Sequence, residues 1–434
     1  MPASIHKISQ GIIPMSLQSW WSWFVKSPLS LKWFVLLILS KPIIDAFYFV
    51  KDSGLLSPAQ IIGFLSFLLC LIILLSKKPR NSFVSTDYLM LIFGFFLFLN
   101  ATLVYAIDLE VKGIGNFIRI MIPVLLFFYL RNEIKSMDDL NGLIFTFLLS
   151  SIFPYVIYFY EFLFKPIQIE HLSEGRGGGM RLSGIYADMF NYMAYIIGDF
   201  LIFCIYFTNR AYAGLKPHFT GILIVTAITI LGLTGIRHQA SWGVFAAILL
   251  FFITFNIGNR YGRSIMLVFS ISFVLLFPYI WRKTIAPLYS KEINAYKGLT
   301  REDRALNGRI IRWKKYFGYW DDMPIEAKVL GVGLSNHPAS PIMMSGGMHS
   351  DYVRFLFATG ILGILVYIAM LVSIIYRSFR YPRPLRFWSL LSVVILMLYA
   401  ISSNPFGSSG ALLYLCLIGM VVAGKPLRDF VEAT

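Results

Sequence analysis

Charged residues are scarce in this sequence. They make up 14% of the 434 residues, whereas soluble globular domains carry about 25%. Hydrophobic residues reach 57% and aromatic residues 17%, which is more apolar surface than one soluble core of this length buries. A soluble enzyme and a disordered chain are therefore excluded, and the composition is typical of a membrane protein.

Acidic residues are the scarcer kind of charge, because 22 Asp and Glu stand against 38 Lys and Arg, a net charge of +16. In a soluble protein this excess would indicate a nucleic-acid partner. In a membrane protein, retention of Lys and Arg on the cytoplasmic side explains it. No nucleic acid is therefore expected as a partner.

Cysteine is also rare. Cys70, Cys204 and Cys416 all lie in apolar stretches, and their odd number supports neither a disulfide framework nor a cysteine metal site. The first 30 residues contain no apolar run that ends in small residues, so no cleavable signal peptide is expected.

Apolar runs of about the length that crosses a bilayer, roughly 20 residues, follow one another along the chain. There are twelve, at 31–49, 58–75, 87–106, 113–130, 142–164, 185–207, 218–235, 240–255, 264–281, 351–376, 387–403 and 409–424. We therefore predict an all-α polytopic membrane protein with about twelve transmembrane helices.

Basic residues distinguish the two sides of the predicted membrane. Eighteen lie in alternate connections and only six in the short connections of the other side, which assigns the first set to the cytoplasm. The predicted parts are a cytoplasmic or interfacial N-terminus (1–30), spans one to nine (31–281), a long outer loop (282–350), spans ten to twelve (351–424) and a cytoplasmic tail (425–434).

The long outer loop contains a helical pattern. Ile310, Trp313, Phe317 and Trp320 recur at spacings of three, four and three residues, which predicts an amphipathic helix with one apolar, aromatic face. Asn307 is the predicted N-cap. Such a helix either lies on the membrane surface or covers an outward-facing cavity.

A glycine-rich stretch precedes the sixth apolar run. It reads Gly-Arg-Gly-Gly-Gly-Met-Arg-Leu-Ser-Gly over 175–184 and carries Arg176 and Arg181. Because glycine permits close backbone approach and positive φ, its N–H groups beside two guanidinium groups would form an anion site. A flexible loop with two arginines is the alternative. Asp188 and Asn191 follow, where either would orient a substrate or bond a neighbouring helix.

A very short outer connection separates the seventh and eighth runs, with the sequence Thr-Gly-Ile-Arg-His-Gln over 234–239. Arginine is disfavoured on this side of the membrane, and its guanidinium group suits bidentate contacts to phosphate. Arg237 is therefore a candidate ligand of a lipid diphosphate, the alternative being a side chain that reaches the interface. His238 is predicted to be a neighbour without a role.

His349 lies where the long outer loop re-enters the membrane, five residues before Arg354. Histidine accepts a proton near neutral pH, which a sugar hydroxyl attacking an anomeric carbon requires. His337 competes for this role, but His349 lies nearer the predicted membrane surface. A solvated loop histidine is the alternative interpretation.

Five short motifs in this part of the chain resemble, in their order, those of bacterial O-antigen polymerases and O-antigen ligases. They are Arg-Leu-Ser-Gly at 181–184, Thr-Gly-Ile-Arg at 234–237, Asn-Gly-Arg at 307–309 with Trp313, Gly-Val-Gly at 331–333, and His-Ser-Asp-Tyr at 349–352 with Gly360. Each motif alone is weak, and their order together with one long outer loop makes the resemblance specific.

The resemblance implies a fold similar to the multi-span GT-C glycosyltransferases, which use lipid-linked sugars without nucleotide sugar, metal or other cofactor. It also implies an undecaprenyl-diphosphate-linked oligosaccharide as donor at the periplasmic face of the bacterial inner membrane. Arg181 and Arg237 would bind the diphosphate, and His349 would activate the acceptor hydroxyl. Further possible substrate contacts are Arg176, Asp188, Asn191, Arg309, His337 and Arg354.

Two departures from the family pattern bear on the reaction. Ser350-Asp351 stands where many ligases have Asn after the histidine, and Ile236 stands where Ser is common. The first favours a polymerase of O-antigen or exopolysaccharide, which would work in lipopolysaccharide biosynthesis with a chain-length regulator and a flippase. A ligase that transfers the glycan to lipid A core is the alternative.

A polysaccharide flippase or transporter is the alternative from another class. Transporters place functional charges near the middle of the membrane and are built from two related halves. The candidate residues instead gather on one side, and no internal repeat is visible. The sequence therefore favours the enzyme.

Overall fold

A computed structural model describes most of the chain. It covers residues 14–47, 58–76, 83–108, 111–164, 167, 169–171, 180–182, 185–186, 189–215, 219–236, 238–259, 261–262, scattered positions between 264 and 298, 309–332, 350–403, 405 and 411–424. The ninth predicted span therefore lies where only scattered residues are described, and the predicted tail 425–434 lies outside the described residues.

The described residues form helices and one short ribbon. The helices are α1 (Leu17–Lys26), α2 (Leu29–Ala46), α3 (Pro58–Ser76), α4 (Ser85–Asp108), α5 (Val111–Glu133), α6 (Met137–Leu163), α7 (Met189–Tyr212), α8 (Phe219–Ile236), α9 (Gln239–Asn256), α10 (Arg309–Asp321), α11 (Ile325–Leu330), α12 (Asp351–Ser378), α13 (Arg383–Ser402) and α14 (Ala411–Gly424). Strands β1 (Ile169–His171) and β2 (Met180–Leu182) pair antiparallel. The ribbon is an addition to the all-α prediction.

Eleven of the twelve predicted runs coincide with helices of this set. Among the described residues, five helical segments are long and apolar enough to cross a membrane, namely Pro58–Ser76, Met137–Leu163, Tyr192–Tyr212, Asp351–Ser378 and Arg383–Ile401. Four shorter apolar segments lie in α4, α8, α9 and α14. The helical, polytopic character of the chain is thus confirmed.

Helix α14 lies at the centre of the bundle. It contacts α2, α5, α6, α7, α12 and α13, and its side chains are buried from Leu412 to Val422. A helix that is apolar all round is expected in such a position. Gly419 permits the close approach to α13, since a Cβ atom there would lie 2.1 Å from Ser392 Oγ.

One end of the bundle is joined by basic side chains, and we call it the basic end. Arg131, near the end of α5, pairs with Asp87 in the first turn of α4 at 2.7 Å, and both side chains are buried. Arg383 donates to the Tyr212 hydroxyl at 2.8 Å, which donates to the Phe255 carbonyl at 2.5 Å. These helix ends all border connections predicted to lie on one side, so the contacts agree with the alternation inferred from charge.

The first helix packs against α6. Trp20 donates from Nε1 to Thr146 at 2.9 Å and Trp23 donates to Asp139 at 3.1 Å. A Cβ atom on Gly142 would lie 2.4 Å from the Trp23 ring. The tryptophans of the predicted interfacial N-terminus therefore tie α1 to the bundle.

Helix α10 is the helix predicted in the long loop, and it packs against the first turns of α12. Trp320 and Tyr316 lie with their ring centroids 5.2 Å and 6.2 Å from that of Phe357. The predicted face needs one correction, because Phe317 is 42% exposed whereas Tyr316 is 9% exposed. Contact with α12 selects the face that carries Tyr316. The predicted N-cap, Asn307, lies outside the described residues.

Candidate functional site

The connection between α8 and α9 consists of two residues, Arg237 and His238. His238 is the N-cap residue of α9, and its Nδ1 atom hydrogen-bonds the Ser241 hydroxyl at 2.7 Å. The same hydroxyl hydrogen-bonds the buried Tyr399 hydroxyl at 2.8 Å. The turn is thereby fastened to the last turns of α13.

The start of α12 is fastened to the same part of α13. Ser350, the N-cap residue, donates from its buried hydroxyl to the Ala400 carbonyl at 3.0 Å. The backbone N–H of Asp351 donates to the Ser403 carbonyl at 3.2 Å. Residue 349 therefore precedes a helix end whose position is fixed by α13.

The last turns of α13 and its C-cap residue Ser403, together residues 397–403, are therefore an anchor shared by two motif segments, and we call them the α13 anchor. Arg237 and His349 themselves lie outside the described residues, and their immediate neighbours His238 and Ser350 both connect to the anchor. The structure thus brings together two segments that are more than a hundred residues apart in the sequence.

The third predicted segment, which carries Arg181, reaches α8 through the two-stranded ribbon. Strand β2 contains Arg181, whose backbone lies opposite Glu170 of β1, and β2 contacts α8, the helix that ends just before Arg237. The side chain of Arg181 is not among the described ones. Arg181 is therefore located by its backbone only, near the helix that leads to Arg237.

Arg354 lies one turn into α12, beside a buried carboxylate. Its Nη1 atom is 3.9 Å from Asp351 Oδ1, and the Asp351 side chain is fully buried. This distance is that of an ion pair and exceeds a hydrogen bond. Arg354 therefore forms an ion pair with Asp351 in the first turn of α12. Its predicted contact with substrate stays a prediction.

Arg309 is the first residue of α10 and is partly buried. Burial, with a smaller contribution from nearby Arg312, lowers the pKa of the Arg309 guanidinium. Its Nε atom is buried without a hydrogen-bond partner among the described residues. Arg309 therefore places a partly buried guanidinium group at the start of α10, the helix that packs against α12. Its predicted contact with substrate stays a prediction.

Gly331 and Val332, the two described residues of the Gly-Val-Gly motif, form one structural unit with Gly360. Helix α12 breaks at Gly360, where φ is 67° and ψ is −172°, and Gly331 also has a positive φ of 91°. Val332 N–H donates to the Phe357 carbonyl at 3.0 Å, and Asn100 Nδ2 donates to the Ala358 carbonyl at 2.7 Å. The break removes the helical N–H donors of these two carbonyls, and both accept hydrogen bonds from residues outside α12 instead.

The side chains of the remaining predicted site residues are not described. Arg176, Asp188 and His337 lie outside the described residues, and Asn191 is described by its backbone in the first turn of α7. Within the described part of the chain, no group of three or more His, Cys, Asp or Glu is placed to hold a metal ion. For these residues the predicted roles stay predictions.

Residues 222–368 match a known family model, Wzy_C, whose description is O-antigen ligase. The resemblance inferred from the motifs is confirmed over this segment. The O-antigen ligase segment contains most of α8, all of α9, α10 and α11, and the start of α12 with its break at Gly360. No curated protein matches the chain.

The O-antigen ligase segment includes some predicted site residues and excludes others. Arg237, Arg309, His337, His349 and Arg354 lie within it. Arg181 and the other candidates before α8 lie outside it, as does the α13 anchor. The match supports a role in O-antigen processing in general.

Sequence reasoning missed the residues that hold the motif segments in place. Tyr399 and Ala400 lie within an apolar run, and Asn100 lies near the end of another, so none carries a sequence signal of its contact. Ser241 carried a weak signal, since it occupies the third position of α9, from which Glu and Gln side chains reach back to the N-cap residue in other helices.

Proposed function

We propose that this protein is a glycosyltransferase that polymerises O-antigen or an exopolysaccharide. It transfers an undecaprenyl-diphosphate-linked oligosaccharide onto the non-reducing end of another lipid-linked repeat. One observation carries the proposal: within or beside the O-antigen ligase segment, the neighbours of Arg237 and His349 are fastened to the same α13 anchor.

The proposed reaction needs a base beside the acceptor hydroxyl and positive charge beside the diphosphate leaving group. A hydroxyl of the acceptor sugar attacks the anomeric carbon of the donor, and His349 accepts the hydroxyl proton. The bond between the anomeric carbon and the diphosphate oxygen breaks, and the electron pair leaves with the diphosphate. The protonated His349 then loses its proton to water, which regenerates the neutral base.

Arg181 and Arg237 are the proposed ligands of the departing diphosphate. Its negative charge grows as the glycosidic bond breaks, so prepositioned guanidinium groups stabilise the transition state more than the ground state. One such donor group contributes about 3–4 kcal/mol. Arg176, Arg309 and Arg354 are proposed to add further contacts to the donor, and Asp188, Asn191 or His337 to the sugars.

The proposed architecture is that of a GT-C-like enzyme of the bacterial inner membrane with about twelve spans. The basic end faces the cytoplasm with both termini, and the end that carries Ser350 faces the periplasm. Its support is the distribution of eighteen basic residues on one side together with the five long and four shorter apolar helical segments. A chain-length regulator and a flippase are the proposed partners.

A ligase that transfers the glycan to lipid A core is the second candidate. The description of the matched family favours it, whereas Ser350-Asp351 after His349 favours the polymerase. Both candidates use the same donor and differ only in the acceptor.

One experiment tests the proposal and separates the two candidates. Purified protein is incubated with an undecaprenyl-diphosphate oligosaccharide, with and without lipid A core, and the products are separated by size. Longer lipid-linked glycan from the donor alone supports the polymerase. Transfer that requires lipid A core establishes the ligase instead, and no transfer under either condition contradicts the glycosyltransferase.

A further inference from the structure

We infer that Glu161 is a positioning residue for donor binding, because it holds the base of the ribbon that carries Arg181. The inference rests on the proposed function, in which Arg181 binds the donor diphosphate. It follows from the way in which both ends of the ribbon are fastened to the last turns of α6.

Helix stability does not account for the carboxyl group of Glu161. It is the only charged residue of α6 after Asp139, and it lies in the last turn of the helix, where the helix dipole disfavours an anion. The side chain is 3% exposed, and burial of such a group is costly unless it is hydrogen-bonded. We therefore attribute its presence to a contact beyond the helix.

That contact is made with the chain that leads into the ribbon. The backbone N–H of Ile167 donates to Glu161 Oε1 at 3.0 Å, and β1 begins two residues later, at Ile169. Glu161 therefore fixes the point at which the chain enters the ribbon.

The other end of the ribbon is fastened to the same face of α6. Tyr186, four residues after β2, is buried, and its ring centroid lies 5.6 Å from that of Tyr192 on α7. The Tyr192 ring centroid lies 5.9 Å from that of Tyr158 on α6. Tyr158 and Glu161 are three positions apart and thus share one helix face. We call these two residues the α6 clamp.

The ribbon itself is too small to keep its own position. Each strand has three residues, and an isolated two-stranded ribbon is marginally stable at best. The backbone of Arg181 in β2 lies opposite Glu170 in β1, and β2 contacts α8. The position of the Arg181 backbone therefore depends on the α6 clamp and on α8.

A ribbon with a loosened base should bind the donor more weakly. Arg181 binds the diphosphate only while the ribbon is ordered, so the apparent dissociation constant rises as the ordered fraction falls. In the donor complex the ribbon is ordered again, and the chemical step is unchanged. Loss of a positioning residue therefore raises the donor KM and leaves kcat unchanged, whereas loss of Arg181 itself also lowers kcat.

Two substitutions of Glu161 separate its hydrogen bond from its packing. Glu161→Gln keeps a side-chain oxygen that accepts from Ile167 N–H, whereas Glu161→Leu keeps the volume and removes the acceptor. Four quantities are measured for each purified variant: the rate of tryptic cleavage after Arg181, the Kd of undecaprenyl diphosphate without sugar as probe, the donor KM with kcat, and the thermal unfolding midpoint.

The expected result is that Glu161→Leu weakens binding of the probe about five- to tenfold, the usual effect of losing one hydrogen bond. Cleavage after Arg181 should accelerate by a similar factor, because proteolysis of a folded protein reports local opening of the segment that is cut. The donor KM should rise while kcat stays unchanged. Glu161→Gln should retain the wild-type value of each quantity.

A double variant tests whether Glu161 acts through Arg181. The Kd of the probe for Glu161→Leu combined with Arg181→Ala should equal that for Arg181→Ala alone, because no guanidinium group is left to position. Additive losses would show that Glu161 affects binding by another route and would overturn the inference.

A matched control lies at the opposite end of α6 from the ribbon. Glu133 is also a buried glutamate in the last turn of a helix, α5, and it accepts a hydrogen bond from the Ser30 hydroxyl. Glu133→Leu makes the same chemical change there. It should lower the unfolding midpoint and leave both the Kd of the probe and cleavage after Arg181 unchanged.

The remaining outcomes separate the inference from the proposed function. If wild type transfers sugar and Glu161→Leu lowers the unfolding midpoint but keeps the wild-type Kd and cleavage rate, Glu161 only stabilises the fold. The inference then fails and the proposed function stands. If wild type neither binds the probe nor transfers sugar, both fall together.

Discussion

Gly331 and Gly360 lie where two backbone segments, 329–331 and 358–360, pack so closely that neither glycine has room for a side chain. A Cβ atom on Gly331 would lie 2.2 Å from the Ala358 carbonyl oxygen, and one on Gly360 would lie 2.2 Å from the Val329 carbonyl oxygen. Both residues also have positive φ. This contact joins the end of the long-loop helices to α12, the helix that follows the proposed base in the sequence.

Alanine at either glycine should disrupt this junction. The positive φ alone costs about 1–3 kcal/mol for a residue with a side chain, and the carbonyl oxygen that the new Cβ meets belongs to rigid backbone. We expect Gly331→Ala and Gly360→Ala to lower the unfolding midpoint in detergent and to reduce glycan synthesis. Gly318→Ala is the control, because a Cβ there meets nothing within 4 Å.

Asn100 should be required for the break in α12. Its Nδ2 atom donates to the Ala358 carbonyl at 2.7 Å in a buried position. Asn100→Ala leaves that carbonyl unpaired, which costs about 1–3 kcal/mol. Thr102→Val is the control, since among the described residues the Thr102 hydroxyl donates to the Phe98 carbonyl within its own helix. Equal unfolding midpoints for the two variants would contradict the role of Asn100.

The buried ion pair at the basic end should behave as a unit. Arg131→Met leaves the buried Asp87 carboxylate with the hydrogen bond from Val84 N–H at 2.7 Å but without its paired guanidinium group, which costs about 3–5 kcal/mol. The double variant Asp87→Leu with Arg131→Met removes both charges and should recover most of the lost stability. Thermal unfolding of the two single variants and the double variant measures the coupling, and additive losses would show that the two charges act independently.

Docking of α10 on α12 depends on the face that the structure identifies. Trp320→Ala removes a partly buried ring that contacts Phe357 and should lower stability, by less than the roughly 3–5 kcal/mol that loss of a fully buried aromatic ring costs. Phe317→Ala removes an exposed ring and should change stability little. Limited proteolysis of the loop compares the two variants, and faster cleavage of Phe317→Ala would restore the face predicted from spacing.

The proposed site residues should be needed for product and dispensable for folding. Arg181→Ala and Arg237→Ala should each lower kcat/KM about 100- to 1,000-fold, as loss of one preorganised donor does, and His349→Ala about 100- to 10,000-fold. Arg380→Ala, on the segment between α12 and α13, is the matched control. Membrane levels are measured by immunoblot, and wild-type glycan lengths in all three variants would disprove the site assignment.

The sequence predicted the helices well because a helix satisfies its own backbone hydrogen bonds, so an apolar run of sufficient length specifies one locally. The amphipathic helix of the long loop was also predicted. The buried face of that helix was not, because spacing gives Phe317 and Trp320 the same weight. Packing against Val353 and Phe357 of α12 makes Tyr316 the buried residue.

The motifs identified the family segment, and with it Arg237 and His349 as candidates, from sequence alone. The sequence did not reveal that Gly331 and Gly360 touch, that Asn100 completes the break in α12, or that Tyr399 orients His238. These contacts join residues that are 29, 258 and 161 positions apart. Local pattern decided which segments are helical, and tertiary packing decided which of their polar atoms meet, because a hydrogen bond between distant segments depends on how the helices pack.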